Sequence, residues 1–571
     1  MAGPAGTHGK LAGILLATTT MVVLPSTASG QSVAPTREEL TRINQPPAQP
    51  RPTLNIVGGV ERSPCPLADP RYADVKVTIR EVVFNNLKGA TPEEMHAAWA
   101  PFVGSEQQVA VLCEIRDAAA TMLRDKGYLA AVQVPTQKIE NGVVRMETLY
   151  ARITTIRARG ETGGAEAKLA AYLNKLTEDE YFDRNKAERY LLLARDLPGY
   201  NVQLTLKPAG TGPGELIGEV AVLHRPYSLD VMVQNLAAQE TGRWGGQVRA
   251  QLFGLTGMGD STSLSFYSTA DFSEQKILQV AHSFRPGSEG LTIDGQFTYA
   301  WTRPDIGGND ATPDLKSKTL FWTIDARYPL IRSQSSNLWG GIGFDFVDQK
   351  VHFFEPIARD KLRVLWLRAD WDAVDLTSRR PGWRASASAE LRHGLGIFGA
   401  TDGDENVPPS RFDADATATL VRLSGQGELA LGRDFAIAVM PRLQYAFNAL
   451  LSFEEFTAGN YTIGRGYEPA TLSGDSGVGI GAELRGPRIL PIKQSSLSIQ
   501  PYLFGDAAWA WNKNDGEGAD RLTSAGGGFR AELPDRFLLD GTVAVPLEKA
   551  GFENRKGDVR LLVTLTTRIL P

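Results

Sequence analysis

From Tyr227 to its C-terminus the chain carries no helical period and becomes a series of short alternating segments. STSLSFYSTA, LTIDGQFTYAW, KTLFWTIDARYPL, NLWGGIGFDFV, RVLWLRADWDAV, WRASASAEL, DFAIAVMPRLQYAF, FLLDGTVAVPL and VRLLVTLTTRI are representative. About sixteen such segments fit in this stretch, the even number and weak dyad alternation expected of an outer-membrane barrel whose strands turn alternate side chains to lipid and lumen. Counted from the first, odd connections tend to be long (DIGGNDATPDL, GIFGATDGDENVPPSRFDAD) and even ones short (GMG, GSE, GR, PDR). Such barrels have long outer loops and short periplasmic turns, so both ends of this one face the periplasm. A soluble sandwich of this length is unusual, and no blade-length repeat marks a propeller. Phe321 with Trp322, and Trp509 with Trp511, are expected to lie in the interfacial aromatic girdles.

The first thirty residues have the pattern of a signal peptide, 1–30, with Lys10 before an apolar core from Leu11 to Leu24 and small residues before Gln31. That core is shorter than the roughly twenty residues of a spanning helix, and no later run is long and apolar enough to be one. An exported chain meets an oxidising compartment, where the two cysteines, Cys65 and Cys113, favour one disulfide. Neither lies in a CxxC or histidine-rich context and the six histidines are scattered, so no metal site and no cofactor is expected. A formal net charge of -5 argues against a general nucleic-acid binder.

Residues 31–70 hold one short helix candidate, PTREELTRIN, and a proline-rich linker, PPAQPRP. VKVTIREVVF then reads as a strand, Thr91-Pro92-Glu93-Glu94 as a capping box, and a helix follows with Val109, Leu112, Ile115, Ala119 and Met122 on one face. A hairpin around Asn141-Gly142 completes a first unit, 71–150. The order strand, helix, helix, strand, strand repeats over 151–226, with a hairpin across Gly210 to Gly214. Gly127-Tyr128 and Gly199-Tyr200 occupy equivalent places, which points to internal duplication. The barrel is assigned to 227–571.

The most unusual stretch is YTIGRGYEPATLSGDSGVGIGAEL, Tyr461 to Leu484. In strand order it is the outer loop between the eleventh and twelfth strands, with GVGIGAEL entering the twelfth. A lone arginine there needs a partner, and the thirteenth strand offers Asp506 in PYLFGDAAWAW. A loop folded into the lumen lets the Arg465 guanidinium meet that carboxylate in bidentate fashion, with flanking glycines permitting a tight backbone. The same stretch contains Gly474-Asp475-Ser476-Gly477, the surroundings of a serine-protease nucleophile. Val478 breaks the usual continuation, and the histidine nearest a suitable context, His282, sits in a barrel segment. Asp475 and Ser476 are therefore read as a polar turn, with serine hydrolase as a remote alternative.

These parts together resemble the two-partner secretion transporters, of the haemolysin-activator and filamentous-haemagglutinin-transporter type, a family in the superfamily of POTRA-containing barrels. Arg465-Gly466-Tyr467 matches the family's (V/I)RG(Y/F) loop motif, and Phe504 with Asp506 its FxDxG strand motif. Gly464 stands where the family usually has valine or isoleucine, Ala508 replaces the last glycine, and Pro571 ends the chain where an aromatic is usual. The resemblance implies two βααββ POTRA-like periplasmic domains followed by a sixteen-stranded antiparallel transmembrane β-barrel in the bacterial outer membrane. It implies a non-enzymatic pore for a partner exoprotein with an N-terminal secretion domain, of adhesin or haemolysin type, received by the POTRA domains. It also implies contact with outer-membrane lipid, insertion by the barrel-assembly machinery, and an N-terminal helix lodged in the lumen as a plug. An assembly insertase of the same superfamily is the alternative; such proteins usually carry more POTRA repeats and lack the plug helix.

Overall fold

The computed structural model describes residues 34–42, 64–161, 163–212, 214–305, 314–377, 381–402, 406–492, 496–514, 518–549 and 556–570. The expected signal segment 1–30 and the proline-rich linker lie outside the described residues. Sixteen antiparallel strands close into one barrel, the first (Tyr227–Gln234) pairing both with the second (Gly245–Phe253) and with the sixteenth (Arg560–Leu570). Alternation decides the two faces: on the twelfth strand (Ser476–Arg485) Val478, Ile480 and Leu484 are exposed outward, while Gly479, Gly481 and Glu483 are buried inward. Among the described residues no helix is long and apolar enough to cross a membrane.

Two βααββ units precede the barrel and share one topology. In the first, Val143–Tyr150 is the central strand, parallel to Glu81–Asn85 and antiparallel to Ala130–Gln133. In the second, Glu215–His224 is central between Arg152–Gly160 and Tyr200–Pro208, with the same directions. Gly127 and Gly199, each after the longer helix of its unit, adopt φ of 97° and 81°, a left-handed turn that suits glycine. Leu112, Ile115, Ala119 and Leu123 of Val111–Asp125 fill the first core. The Cys65–Cys113 disulfide, Cα–Cα 5.8 Å, holds the segment before the first strand against that helix.

The second unit rests on the periplasmic turns of the barrel. Arg332 donates to both carboxylate oxygens of Asp196 at 2.8 and 2.7 Å, Arg189 to Pro329 O at 2.9 Å, and Gln334 N to Glu188 at 2.5 Å. Gly290 allows the approach: a Cβ there would lie 2.6 Å from Leu193.

Several local expectations need correction. VKVTIREVVF is two strands, Lys76–Thr78 and Glu81–Asn85, in different sheets. The Asn141-Gly142 turn comes between them, with Gly142 O accepting from Arg80 N and Glu81 N at 2.8 and 3.2 Å. The capping box at Thr91 is present but its helix is one turn, Pro92–Met95, followed by 3-10 turns that end in Ala100-Pro101-Phe102, where proline cannot continue a helix. Phe321 does not join a girdle. It is buried inside the barrel with its ring 5.6 Å from Phe453, and Trp322, one residue on, takes the opposite face. The seventh connection is outer but short, a single residue, Phe354, because the seventh and eighth strands (Ser336–Phe353 and Glu355–Val374) are themselves long enough to carry the hairpin outward.

Candidate functional site in the barrel lumen

Residues 447–475, between the eleventh strand (Phe435–Ala446) and the twelfth, fold back into the barrel. A stripe of glycine on the twelfth strand makes the room. A Cβ at Gly477 would meet the Phe456 ring at 2.3 Å, and one at Gly479 would meet Ile463 at 3.0 Å. Phe456, Ala458, Ile463, Tyr467 and Leu472 of the loop form a buried cluster with Ala508, Ala510 and Leu522 of the wall. Ala508 lies where the loop's Ile463 packs, which accounts for a small residue there. Gly464 has φ 119° and its Cβ would lie 2.6 Å from Leu522, so a β-branched residue does not fit.

At the loop tip Arg465 grips Asp506 in two-pronged fashion, Nε to Oδ2 at 3.0 Å and Nη2 to Oδ1 at 2.7 Å, and its backbone N–H adds a third bond at 2.9 Å. The remaining guanidinium nitrogen donates to Glu483 at 2.7 Å. Phe504 lies under the guanidinium, 3.7 Å from Cζ to the ring centroid, so both motif residues of the thirteenth strand (Ser498–Trp511) contact the same cation. Gly466 presses on the wall: a Cβ would lie 2.8 Å from Ser524 Cβ and from Pro546 N. The Tyr467 hydroxyl lies 2.8 Å from Thr523 O and 2.9 Å from Glu548 O, and accepts from Glu548 N at 3.2 Å.

Sequence reasoning missed Glu483. It is also held by Arg530 at 2.8 and 2.9 Å and by Arg485 at 2.9 Å, so it fixes the lumen wall on which Arg465 lands. The readable signal was its place in GVGIGAEL, in register with the inward glycines. Asp475 does form a polar bend directly before the twelfth strand, but a buried one. It is fully buried and accepts from Arg411 and from the backbone N–H groups of Leu450 and Lys513, at 2.7, 2.7 and 2.8 Å, tying the loop base to two other outer connections. Ser476 begins the twelfth strand and its hydroxyl accepts from Ala446 N at 3.0 Å. Among the described residues neither Asp475 nor Ser476 has a histidine partner, so the GDSG stretch is not assembled as a triad.

A second element occupies the lumen. The helix Arg37–Arg42 is capped by Thr36, whose hydroxyl accepts from Glu39 N at 3.3 Å while Glu39 takes the Thr36 N–H at 2.8 Å. Leu40 is fully buried among inward residues including Tyr267, Ile277, Phe321 and Val347. Gln279 donates to Leu40 O at 2.8 Å and Gln349 to Pro35 O at 3.1 Å. Arg37 reaches three carboxylates, Glu454 at 3.3 Å, Asp345 at 3.4 Å and Glu390 at 3.7 Å, and the fully buried Arg392 meets the same three at 2.7 to 2.8 Å. Glu454 belongs to the inward loop, so helix, loop and wall share one ion cluster. Between helix and loop remains a cavity of about 750 Å³ lined by Arg442, Arg465, Glu483 and Asp506 among others.

The comparisons with known proteins point the same way. No curated protein matches the chain by sequence. Among solved structures, CdiB from Escherichia coli is similar at 16% identity over 94% of this chain and 96% of that one, TM-score 0.72. CdiB from Acinetobacter baumannii is similar at 17% over 91% and 94%, TM-score 0.64. BamA from Haemophilus ducreyi lacking POTRA domains 1-3 is more distant, 15% over 86% and 100%, TM-score 0.50. These identities speak for the fold. Residues 77–149 match the family described as "POTRA domain, ShlB-type", which makes the first βααββ unit a periplasmic POTRA domain. Residues 220–531, more than half of the chain, match the family described as "Haemolysin secretion/activation protein ShlB/FhaC/HecB", and the chain belongs to that family of outer-membrane, two-partner secretion transporters.

Proposed function

We propose that this pore secretes one large partner exoprotein, of adhesin or haemolysin type, and that the Arg465–Asp506 pair holds the inward loop in its resting position. The observation that carries the reading is the bidentate pair itself, placed beside the lumen cavity. The POTRA units receive the client. Ala130–Gln133 and Tyr200–Pro208 are edge strands of their sheets, and an edge can add an extended client segment through main-chain hydrogen bonds. The lumen helix plugs the resting pore. Two βααββ units and a helix within the lumen favour secretion over barrel assembly.

Removing one partner of a dry ion pair costs roughly 3 to 5 kcal/mol, and less where water reaches it; the pair borders a cavity of about 750 Å³, which places it toward the lower end. Arg465→Ala and Asp506→Ala are each expected to leave an inserted barrel, judged by heat-modifiable gel migration, while secretion of the client encoded with this transporter falls sharply. The double variant should lose no more than either single. Independent, additive losses would refute the pairing.

A further inference from the structure

The barrel closes where the first strand meets the sixteenth, and this ladder is the shortest of the sixteen. It runs from Gln234–Thr564 to Leu229–Leu570 and has a bulge between Arg568 and Leu570. Toward the outer side the first strand ends at Gln234, whereas the sixteenth extends to Arg560. Asn235 extends the pairing by a little: its backbone N donates to Val563 O at 3.2 Å, and its side chain donates to Leu561 O at 2.8 Å and accepts from Val563 N at 2.7 Å. Beyond that point the two strands are joined through the inward loop.

Five contacts make the join. Tyr461 packs on the cluster that contains Leu236, just past the first strand, and Leu562 of the sixteenth. Asn460 donates to Leu236 O at 2.6 Å. Glu468, next to the Arg465-Gly466-Tyr467 motif, accepts from Gln239 N and from Arg243 Nη2, both at 3.2 Å, on the first connection. On the other flank its carboxylate lies 3.8 Å from Arg560, a buried cation of the sixteenth strand none of whose guanidinium nitrogens has a hydrogen-bond partner among the described residues. This is the only ion pair of Arg560 among the described residues.

We propose that the loop is a latch on the barrel seam, with Glu468 as the residue that holds the outer ends of the first and sixteenth strands together. The physical reason is the uncovered edge. Strand groups without a ladder partner are stabilised only by what covers them, and here the cover is a loop that can leave. When the loop withdraws, Arg560 loses its nearest carboxylate, Arg243 loses its ion pair and Leu562 loses the Tyr461 ring. The seam then opens from its outer end. The inference deepens the lock reading and rests on the loop being held inward at rest.

The test measures the seam itself. Cysteines replacing Val233 and Leu561, exposed residues on the outer face of the first and sixteenth strands, carry spin labels in full-length protein in lipid nanodiscs. Cys65 and Cys113 are joined and take no label. Double electron–electron resonance should give one narrow distance in the otherwise native protein. Glu468→Ala and Tyr461→Ala should each add a population longer by at least one strand spacing, about 5 Å. Glu468→Gln keeps the shape and the acceptor for Gln239 N but removes the charge; it should give a smaller fraction of the same population, and it decides the matter if the alanine variant fails to insert. Unchanged distances in Glu468→Gln and Tyr461→Ala, both migrating as folded barrels, would overturn the latch. The lock reading fails separately, through secretion at the native level in Arg465→Ala, and that result leaves the seam distances free to decide.

Discussion

Leu40→Ala is the sharpest test of the lumen helix as a plug. A helix of six residues has no stability of its own in water, so Arg37–Arg42 exists because it is docked. Docking rests on one fully buried leucine, two glutamine side chains that donate to the Leu40 and Pro35 carbonyl groups, the Glu38–Arg442 pair at 3.0 Å and the longer ion pairs of Arg37. Truncating a buried leucine costs about 2 to 4 kcal/mol, which at 1.4 kcal/mol per decade lowers the docking constant roughly 30- to 1,000-fold. Arg37→Ala should do less. Its three carboxylates keep the nearer Arg392 at 2.7 to 2.8 Å, so no acid is left without a cation, and the lost pairs are the longer ones at 3.3 to 3.7 Å. In a planar bilayer the open probability of purified Leu40→Ala protein should rise well above that of the native protein and approach that of a variant lacking residues 34–42. Arg37→Ala should fall between. Equal open probability in the native, Leu40→Ala and deletion forms would refute the plug, and a larger effect from Arg37→Ala than from Leu40→Ala would refute the ranking of burial over charge.

Two further outcomes concern the periplasmic units. The Cys65–Cys113 disulfide closes a loop of sequence separation 48, which by chain entropy is worth about 4 kcal/mol, so Cys113→Ser should lower the urea midpoint of the first unit in the full-length protein, and dithiothreitol should lower the native midpoint to the same value. In the second unit burial holds the His224 imidazole below its usual range, with its ring 4.5 Å from that of Tyr200. The folded unit therefore prefers the neutral ring. Its contribution is complete above pH 6.5 and is lost as the pH falls below that value, so melts at pH 7.5 and pH 5 should differ by less in His224→Gln than in the native protein.

The barrel was legible because dyad alternation and turn residues are local, and sixteen segments repeat the same signal. The tip of the loop was legible for a different reason. Arg465 is a lone cation among glycines, and Asp506 is an inward carboxylate on a nearby strand, so each points to the other. The ion cluster around Arg392 gave no such signal: Arg37 and Glu454 are separated by 417 positions, and Arg392 and Glu454 by 62. Only the closed barrel brings them together. Phe321 failed because an aromatic near a strand end belongs to the girdle on one parity and to the lumen on the other, and a shift of one residue exchanges the two. Glu483 was within reach of the same parity argument. Once Gly477, Gly479 and Gly481 are placed inward to seat the loop, the next inward residue is the acid that the tip must meet.

The three stations that hold the loop differ in dryness, and dryness ranks their strength. At the base the Glu454–Arg392 pair is 4% and 0% exposed, while Asp475, wholly buried, accepts from two backbone N–H groups and from an Arg411 whose side chain is 19% exposed. At the tip the Arg465 side chain is 16% exposed against Asp506 at 2%, and at the seam that of Glu468 is 19% exposed against Arg560 at 8%. Breaking a pair in a dry site leaves an uncompensated charge in low dielectric, whereas water from the cavity solvates Arg465 and Asp506 as they part. On the lock and latch readings the tip and seam contacts yield first, and the Glu454–Arg392 pair, the driest of these, is the pivot. A loop that moves about its base swings Arg465 and Glu468 together. On those readings the tip leaves the wall and the seam is unlatched in the same motion, while Glu454 keeps its place in the ion cluster that also holds Arg37, so the lumen helix has to leave in a separate step.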